Sequence, residues 1–212
     1  FAEKLVKAGL TDIIFSIHGH DSALHDKLTR VPGSFDQLLG GYNNMSELLG
    51  KKRIGSNTTI VKQNYKDLEM IGDFIYGLGI NNSEFIFVDP STGAPFNYFH
   101  KYVPRISEAA PYIRKCLDIG RLNKLAHWHI RYVPLCYFHD YLDQVSELQE
   151  VTTFSSEHLG PEFKNFDAEG SRKIVGREKA AQCSGCKLNP LCEGIWKEYV
   201  RQYGGKELKP ID

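Results

Sequence analysis

The sequence predicts an α/β protein built on parallel strands. Short apolar or β-branched runs alternate with amphipathic helical stretches, at intervals of roughly 30–45 residues. Glycines stand where successive helices should stop. The chain has 212 residues, 42% hydrophobic and 25% charged. At that size about 70% of the unfolded surface can be buried, so a sizeable core needs no staples.

Phe1 to Gly9 reads as the last turns of a helix closed by a glycine cap, and a chain that begins inside a helix is expected to be a fragment. Asp12 to His18 is a short apolar run ended by Gly19, a buried strand by pattern. Leu38, Tyr42, Met45 and Leu49 mark the stripe of a helix over 35–49, with Gly50 as its stop. Ile54 to Val61 is the second strand. Asn64 stands where a helix N-cap belongs, Leu68, Ile71, Ile75 and Leu78 give the apolar face, and Gly79 ends the helix.

Glu84 to Val88 is the third strand, and a loop rich in Gly, Pro and Asn runs on to about Pro104. Ser107 caps the next helix, with Pro111 in its first turn or so and Ile106, Ala110, Ile113 and Leu117 on one face. His129 to Val133 is a fourth strand. This β, α, β, α order implies right-handed crossovers between parallel strands. Periodicity leaves a barrel and a doubly wound sheet both open. Beyond residue 150 the pattern changes: 152–182 is polar and aperiodic, and a final helix is expected over Leu191 to Tyr203 before Gly204-Gly205.

Lys plus Arg and Asp plus Glu number 26 each, so no overall charge marks a nucleic-acid or anionic-membrane partner. No stretch approaches the ~20 apolar residues of a membrane span, and no secretory pattern opens the chain. Five cysteines, three of them within ten residues, fit a cytoplasmic metal site better than a disulfide framework.

Cys183-x2-Cys186-x5-Cys192 carries the strongest chemical signal. A C-x2-C turn brings two thiolates to one metal centre, and the third is expected at a helix start, where the dipole favours negative charge. Zinc or a cubane cluster then needs a fourth ligand. Cys136, at the end of a predicted strand, is the natural candidate; His139 or His158 is less constrained. Joining Cys136 to Cys183 closes a loop that costs roughly 4 kcal/mol of chain entropy. Structural metal sites release on the order of 10–16 kcal/mol, which outweighs it. Four unrelated buried thiols are the plainer alternative, and Cys116, beside an apolar stripe, reads as core packing.

With these motifs the chain resembles the C-terminal part of a radical S-adenosylmethionine protein carrying a Twitch- or SPASM-like extension. The SPASM signature C-x2-C-x5-C-x3-C is matched at Cys183, Cys186 and Cys192, whereas Trp196 stands at the fourth position. An upstream Cys136 then completes one auxiliary 4Fe–4S cluster, as in the shorter Twitch arrangement. The run from Cys192 to Tyr199, with Tyr203-Gly204, is also similar to such tails. Phe15-Ser-Ile-His-Gly19 resembles the fourth barrel strand of the family, whose serine commonly contacts bound S-adenosylmethionine; the matching residue is Ser16.

Strand period puts Ile14, Ser16 and His18 on one face, at the C-terminal end where parallel folds place ligands. Asn57 resembles a family contact to the cofactor on the next strand, and Arg30 is a candidate for a carboxylate. The bland alternatives are a turn cap for Ser16, backbone satisfaction for Asn57 and solvation for Arg30. His18 and His20 also invite an H-x-H metal site, with a satisfied polar histidine as the simpler alternative.

The resemblance implies a partial parallel βα barrel over 1–134, lacking its first strands, and an irregular cluster-binding extension over 135–212. The C-x3-C-x2-C loop of the catalytic cluster and the Gly-Gly-Glu-Pro segment are absent from the 212 residues. The chain as it stands is therefore not expected to cleave S-adenosylmethionine. The parent would make a 5′-deoxyadenosyl radical, act on a peptide, protein or small-molecule substrate, and draw electrons from a reductant protein. Two alternatives stand beside this: an α/β protein with a structural four-cysteine zinc site, and a non-catalytic degenerate module.

Overall fold

The computed structural model describes residues 1–149, 158–159 and 164–212. The predicted Gly160-Pro161 break and part of the polar 152–182 stretch lie outside the described residues. The chain divides into two compact units, Phe1–Phe87 with Glu108–Arg131, and Val88–Ser107 with Tyr132–Asp212.

The first unit is α/β. In chain order it contains α1 (Ala2–Lys7), β1 (Ile13–Ser16), α2 (Ser22–Thr29), α3 (Ser34–Leu49), β2 (Ile54–Ile60), α4 (Leu68–Gly77) and β3 (Asn82–Phe87). After α5 (Gly93–Asn97) and α6 (Phe99–Tyr102), which belong to the second unit, it resumes with α7 (Ile106–Leu122), whose first two residues count with the second unit, and β4 (His127–Arg131). The four strands form one all-parallel sheet in the order β1-β2-β3-β4. Consecutive parallel neighbours need long crossovers, and the helices supply them. The sheet is open: β1 and β4 each have one strand neighbour among the described residues.

Local chemistry accounts for most boundaries. Gly9, at φ +99°, lets Leu10 N–H reach the Leu5 carbonyl at 3.1 Å and close α1. Helix α2 escaped the hydropathy pattern, yet it has a capping signal, since the Asp21 carboxylate accepts from Leu24 N–H at 2.8 Å. Asn64 does not cap α4, which begins four residues later after a 3-10 turn. Its fully buried side chain instead accepts from Val61 N–H and donates to the His18 and Thr59 carbonyls. Helix α7 starts at Ile106, ahead of the expected Ser107 cap, so Pro111 falls inside it. The expected loop before Pro104 contains α5 and α6.

The core of the first unit lies on one face of the sheet. Ile17, Phe85, Trp128 and Ile130 are buried there with Ile71, Ile75, Ile113 and Leu117 of α4 and α7. The Asp12–His18 run is not buried throughout, because β1 alternates and leaves Ile14 64% exposed. A Cβ at Gly120 would stand 2.5 Å from the Trp128 ring, so glycine permits that approach. Cys116 is core packing: it is buried, its carbonyl accepts from Trp128 Nε1 at 2.8 Å, and burial pushes its thiol well up.

The second unit is irregular. Beyond α5 and α6 it contains 3-10 turns at Leu135–Tyr137 and His139–Gln144, then α8 (Ser146–Gln149) and the paired β5 (His158–Leu159) and β6 (Lys164–Asn165). Next come α9 (Ala168–Ser171), a π-type turn at Arg172–Gly176, β7 (Arg177–Glu178), β8 (Ile195–Trp196) and α10 (Lys197–Tyr203). The expected helix from Leu191 therefore begins six residues late. Residues 195–196 pair antiparallel with β7 instead. Tyr199, fully buried, anchors α10, since its hydroxyl accepts from Ile106 N–H at 2.8 Å and donates to Glu207 at 2.7 Å.

Candidate functional site

The second unit brings Cys136, Cys183, Cys186 and Cys192 around one cavity, with Pro134 and Leu188 among its apolar walls. Cys136 lies in the turn after Pro134, Cys183 in a 3-10 turn (Ala181–Gly185), and Cys186 immediately after it. Backbone amides point at the sulfurs. Cys192 Sγ accepts from Leu135 N–H at 3.4 Å and Gly194 N–H at 3.3 Å, and Cys186 Sγ from Ile211 N–H at 3.3 Å. The Lys209 amide serves Cys136. Cys192 does not sit at a helix start, so these amides replace the helix dipole expected from sequence.

Burial pushes Cys136 up to about 11, against the Lys209 amide and with the other three thiols as like-charged neighbours. Burial also raises Cys183. At Cys136 and Cys183 the neighbouring thiols thus add to burial in opposing ionisation, which a bound cation would offset. Among the described residues no three His, Cys, Asp or Glu side chains have the geometry to hold a single metal ion. His139 pairs with Asp140 at 2.9 Å, and the side chain of His158 is outside the described residues.

Next to Cys192 the same unit holds a buried ionic cluster that the sequence pattern did not reveal. Arg172 clasps Glu193 through two bonds of 2.9 and 2.8 Å. Arg177, 3% exposed, donates to the Gly194 carbonyl at 2.9 Å. Glu147 accepts from Tyr132 N–H at 2.6 Å, and burial raises its carboxyl while Arg177 pulls it back. The available signal was charge spaced along an aperiodic stretch, which resembles an ordinary solvated surface.

In the first unit, strand register sets Ser16, Asn57, Glu84 and His129 side by side in one row across the four strands. This is the less buried face of the sheet. Arg131 Nε meets Glu84 at 2.8 Å on the same side. Period-2 alternation in Asn82–Phe87 and His127–Arg131 was the signal for Glu84, His129 and Arg131. His18 Nδ1 accepts from Thr59 N–H at 3.3 Å. Arg30 is elsewhere, in the left-handed cap of α2 on an open groove with Ser22, Asp26 and Lys27. His20 pairs with Asp21 at 3.5 Å.

Fold and site together define an α/β sheet unit joined in sequence to a four-cysteine unit. Comparison with protein-family models, curated proteins and solved structures finds no match to this chain. No helix among the described residues is long and apolar enough to cross a membrane.

Proposed function

We propose that Cys136, Cys183, Cys186 and Cys192 bind one iron–sulfur cluster of the 4Fe–4S type, as the auxiliary centre of a radical S-adenosylmethionine enzyme. The observation that supports this most is the shared cavity of four thiols drawn from two separate stretches of chain. A tetrahedral ion draws its thiolates to about 2.3 Å from one point. A cubane spreads them over four irons, one thiolate to each. When bound, the cluster supplies a one-electron site, while the amides of Leu135, Gly194 and Ile211 hold the ligand sulfurs in orientation.

On this reading the parallel sheet is the later part of a barrel. Ser16 and Asn57 on its open face contact S-adenosylmethionine in the complete protein, and Glu84, His129 and Arg131 extend that polar row towards substrate. His18, whose Nδ1 takes the Thr59 amide, and Arg30, whose backbone ends α2, stand as further candidate contacts of that cofactor. The setting is a reducing cytoplasm, and a peptide, protein or small molecule is the substrate class.

Anaerobic reconstitution of the chain with iron and sulfide tests the metal assignment. Iron and sulfide in near-equal amounts, lost in Cys186→Ala and retained in Cys116→Ala, are the expected result. Zinc bound tightly in place of iron, or equal behaviour of the two variants, overturns it.

A further inference from the structure

Arg177 is an expensive residue to bury. Its guanidinium sits against the Trp196 ring, 4.9 Å from the centroid, and 5.9 Å from that of Tyr132. Among the described residues only one of its nitrogens has a hydrogen-bond partner: Nε and Nη1 find none, and neither does the buried Oε2 of Glu147. Desolvating a guanidinium is costly, and one bond to a carbonyl does not recover that. Glu147 and Glu193 relieve part of its charge, and the two bare nitrogens leave room for a further negative group that it faces.

The surroundings identify that charge. Arg177 pairs in register with Trp196 across β7 and β8, and its bond to the Gly194 carbonyl fixes the residue whose amide donates to Cys192 Sγ. Gly194 itself is held at φ +83°, and a Cβ there would lie 2.1 Å from the Glu178 carbonyl oxygen. The neighbouring side chains are nearly balanced. Arg172 and Lys173 flank Glu193, at 2.8 and 3.9 Å, and Glu147 is the remaining carboxylate. Among the described residues three cations thus face two carboxylates, and Arg177 is the buried cation whose field also reaches Cys192.

We infer that Arg177 is a positioning residue of the four-cysteine centre, which holds Gly194 against the Cys192 sulfur and sets the reduction potential of the bound cluster through its buried charge. The inference rests on the cluster reading above. One electron from an external reductant such as dithionite enters the oxidised centre, no bond is made or broken, and the charge of the centre becomes one unit more negative. A fixed positive charge nearby favours that reduced form.

The test is a redox titration of the reconstituted full chain, followed by visible absorption and electron paramagnetic resonance, with iron content measured on each sample. Arg177→Met should shift the midpoint to more negative potential. A tenfold fall in the reduced-to-oxidised ratio at fixed potential, equal to about 59 mV for one electron, is the size to look for. Arg177→Lys should restore much of the shift, because it keeps the charge. Glu147→Gln removes the opposing charge and should move the midpoint the other way, which keeps the test open if Arg177→Met does not fold. Variants that load iron fully with unmoved midpoints overturn the role of Arg177 and leave the cluster reading intact. A wild-type chain that takes up no iron overturns the cluster reading itself.

Discussion

Gly194 donates its amide to Cys192 Sγ at 3.3 Å from a backbone conformation, φ +83°, that other residues rarely adopt. The ligand loop and the β7–β8 pairing therefore depend on one missing side chain. Gly194→Ala would drive a Cβ into the Glu178 carbonyl, and the strain comes on top of the φ penalty. A loss on the order of 3 kcal/mol and defective metal uptake are expected. Thermal unfolding with and without reconstitution measures both, and a variant that loads iron normally would refute the dependence.

The thiols predict a pH dependence for metal uptake. Burial holds Cys136 up at about 11 and raises Cys183, so near neutral pH each must release a proton to become a ligand. Uptake should weaken as pH falls and strengthen as it rises, with protons released on binding. Without metal the sign for stability is the reverse. The folded chain holds these protons more tightly than the unfolded chain, so stability is intact below the ordinary value of 9.0 and falls as pH rises towards about 11. Competition for iron at several pH values and alkaline denaturation of the metal-free chain check the two halves separately.

His18 carries the opposite sign. Burial, with repulsion from His25, lowers it from 6.5 to about 4, and its Nδ1 is already occupied by the Thr59 amide. Protonation would destroy that bond. The stability linked to His18 is therefore present above 6.5 and is lost as pH falls through about 4, by at most about 3 kcal/mol. A proton-resonance titration of His18 should show a midpoint well below that of an exposed histidine, and a midpoint near 6.5 would contradict it.

The sequence made the periodic parts of the chain legible. Ile71, Ile75, Ile113 and Leu117 repeat as helix faces, and all four are buried. The three-cysteine run and Cys136 could be paired because thiol spacing survives without any knowledge of the fold, and all four line one cavity. What escaped was set by contacts between distant residues. Ile195 and Trp196 look like part of a helix until Arg177 and Glu178 arrive to pair with them. Arg177 and Glu147 look like surface charges until the chain folds over them.

Asn64 is the last such case, and its cost can be predicted. The sequence suggested a cap, but its amide satisfies three backbone groups, Val61 N–H at 2.8 Å and the His18 and Thr59 carbonyls at 3.1 and 3.0 Å. All three bonds are made by a side chain with no exposed surface. Asn64→Leu keeps the volume and removes the partners. Each buried group left unpaired costs about 1–3 kcal/mol, although the carbonyls can recover part of that from water if the loop opens. A net loss of roughly 3 kcal/mol is expected. The segment that ends β1 should loosen with it, since the His18 carbonyl loses its partner while the Thr59 amide still binds the ring. Amide exchange should therefore speed up at Val61 more than at Ile75 in α4. Equal acceleration at both would mean that Asn64 supports the unit globally and not this junction.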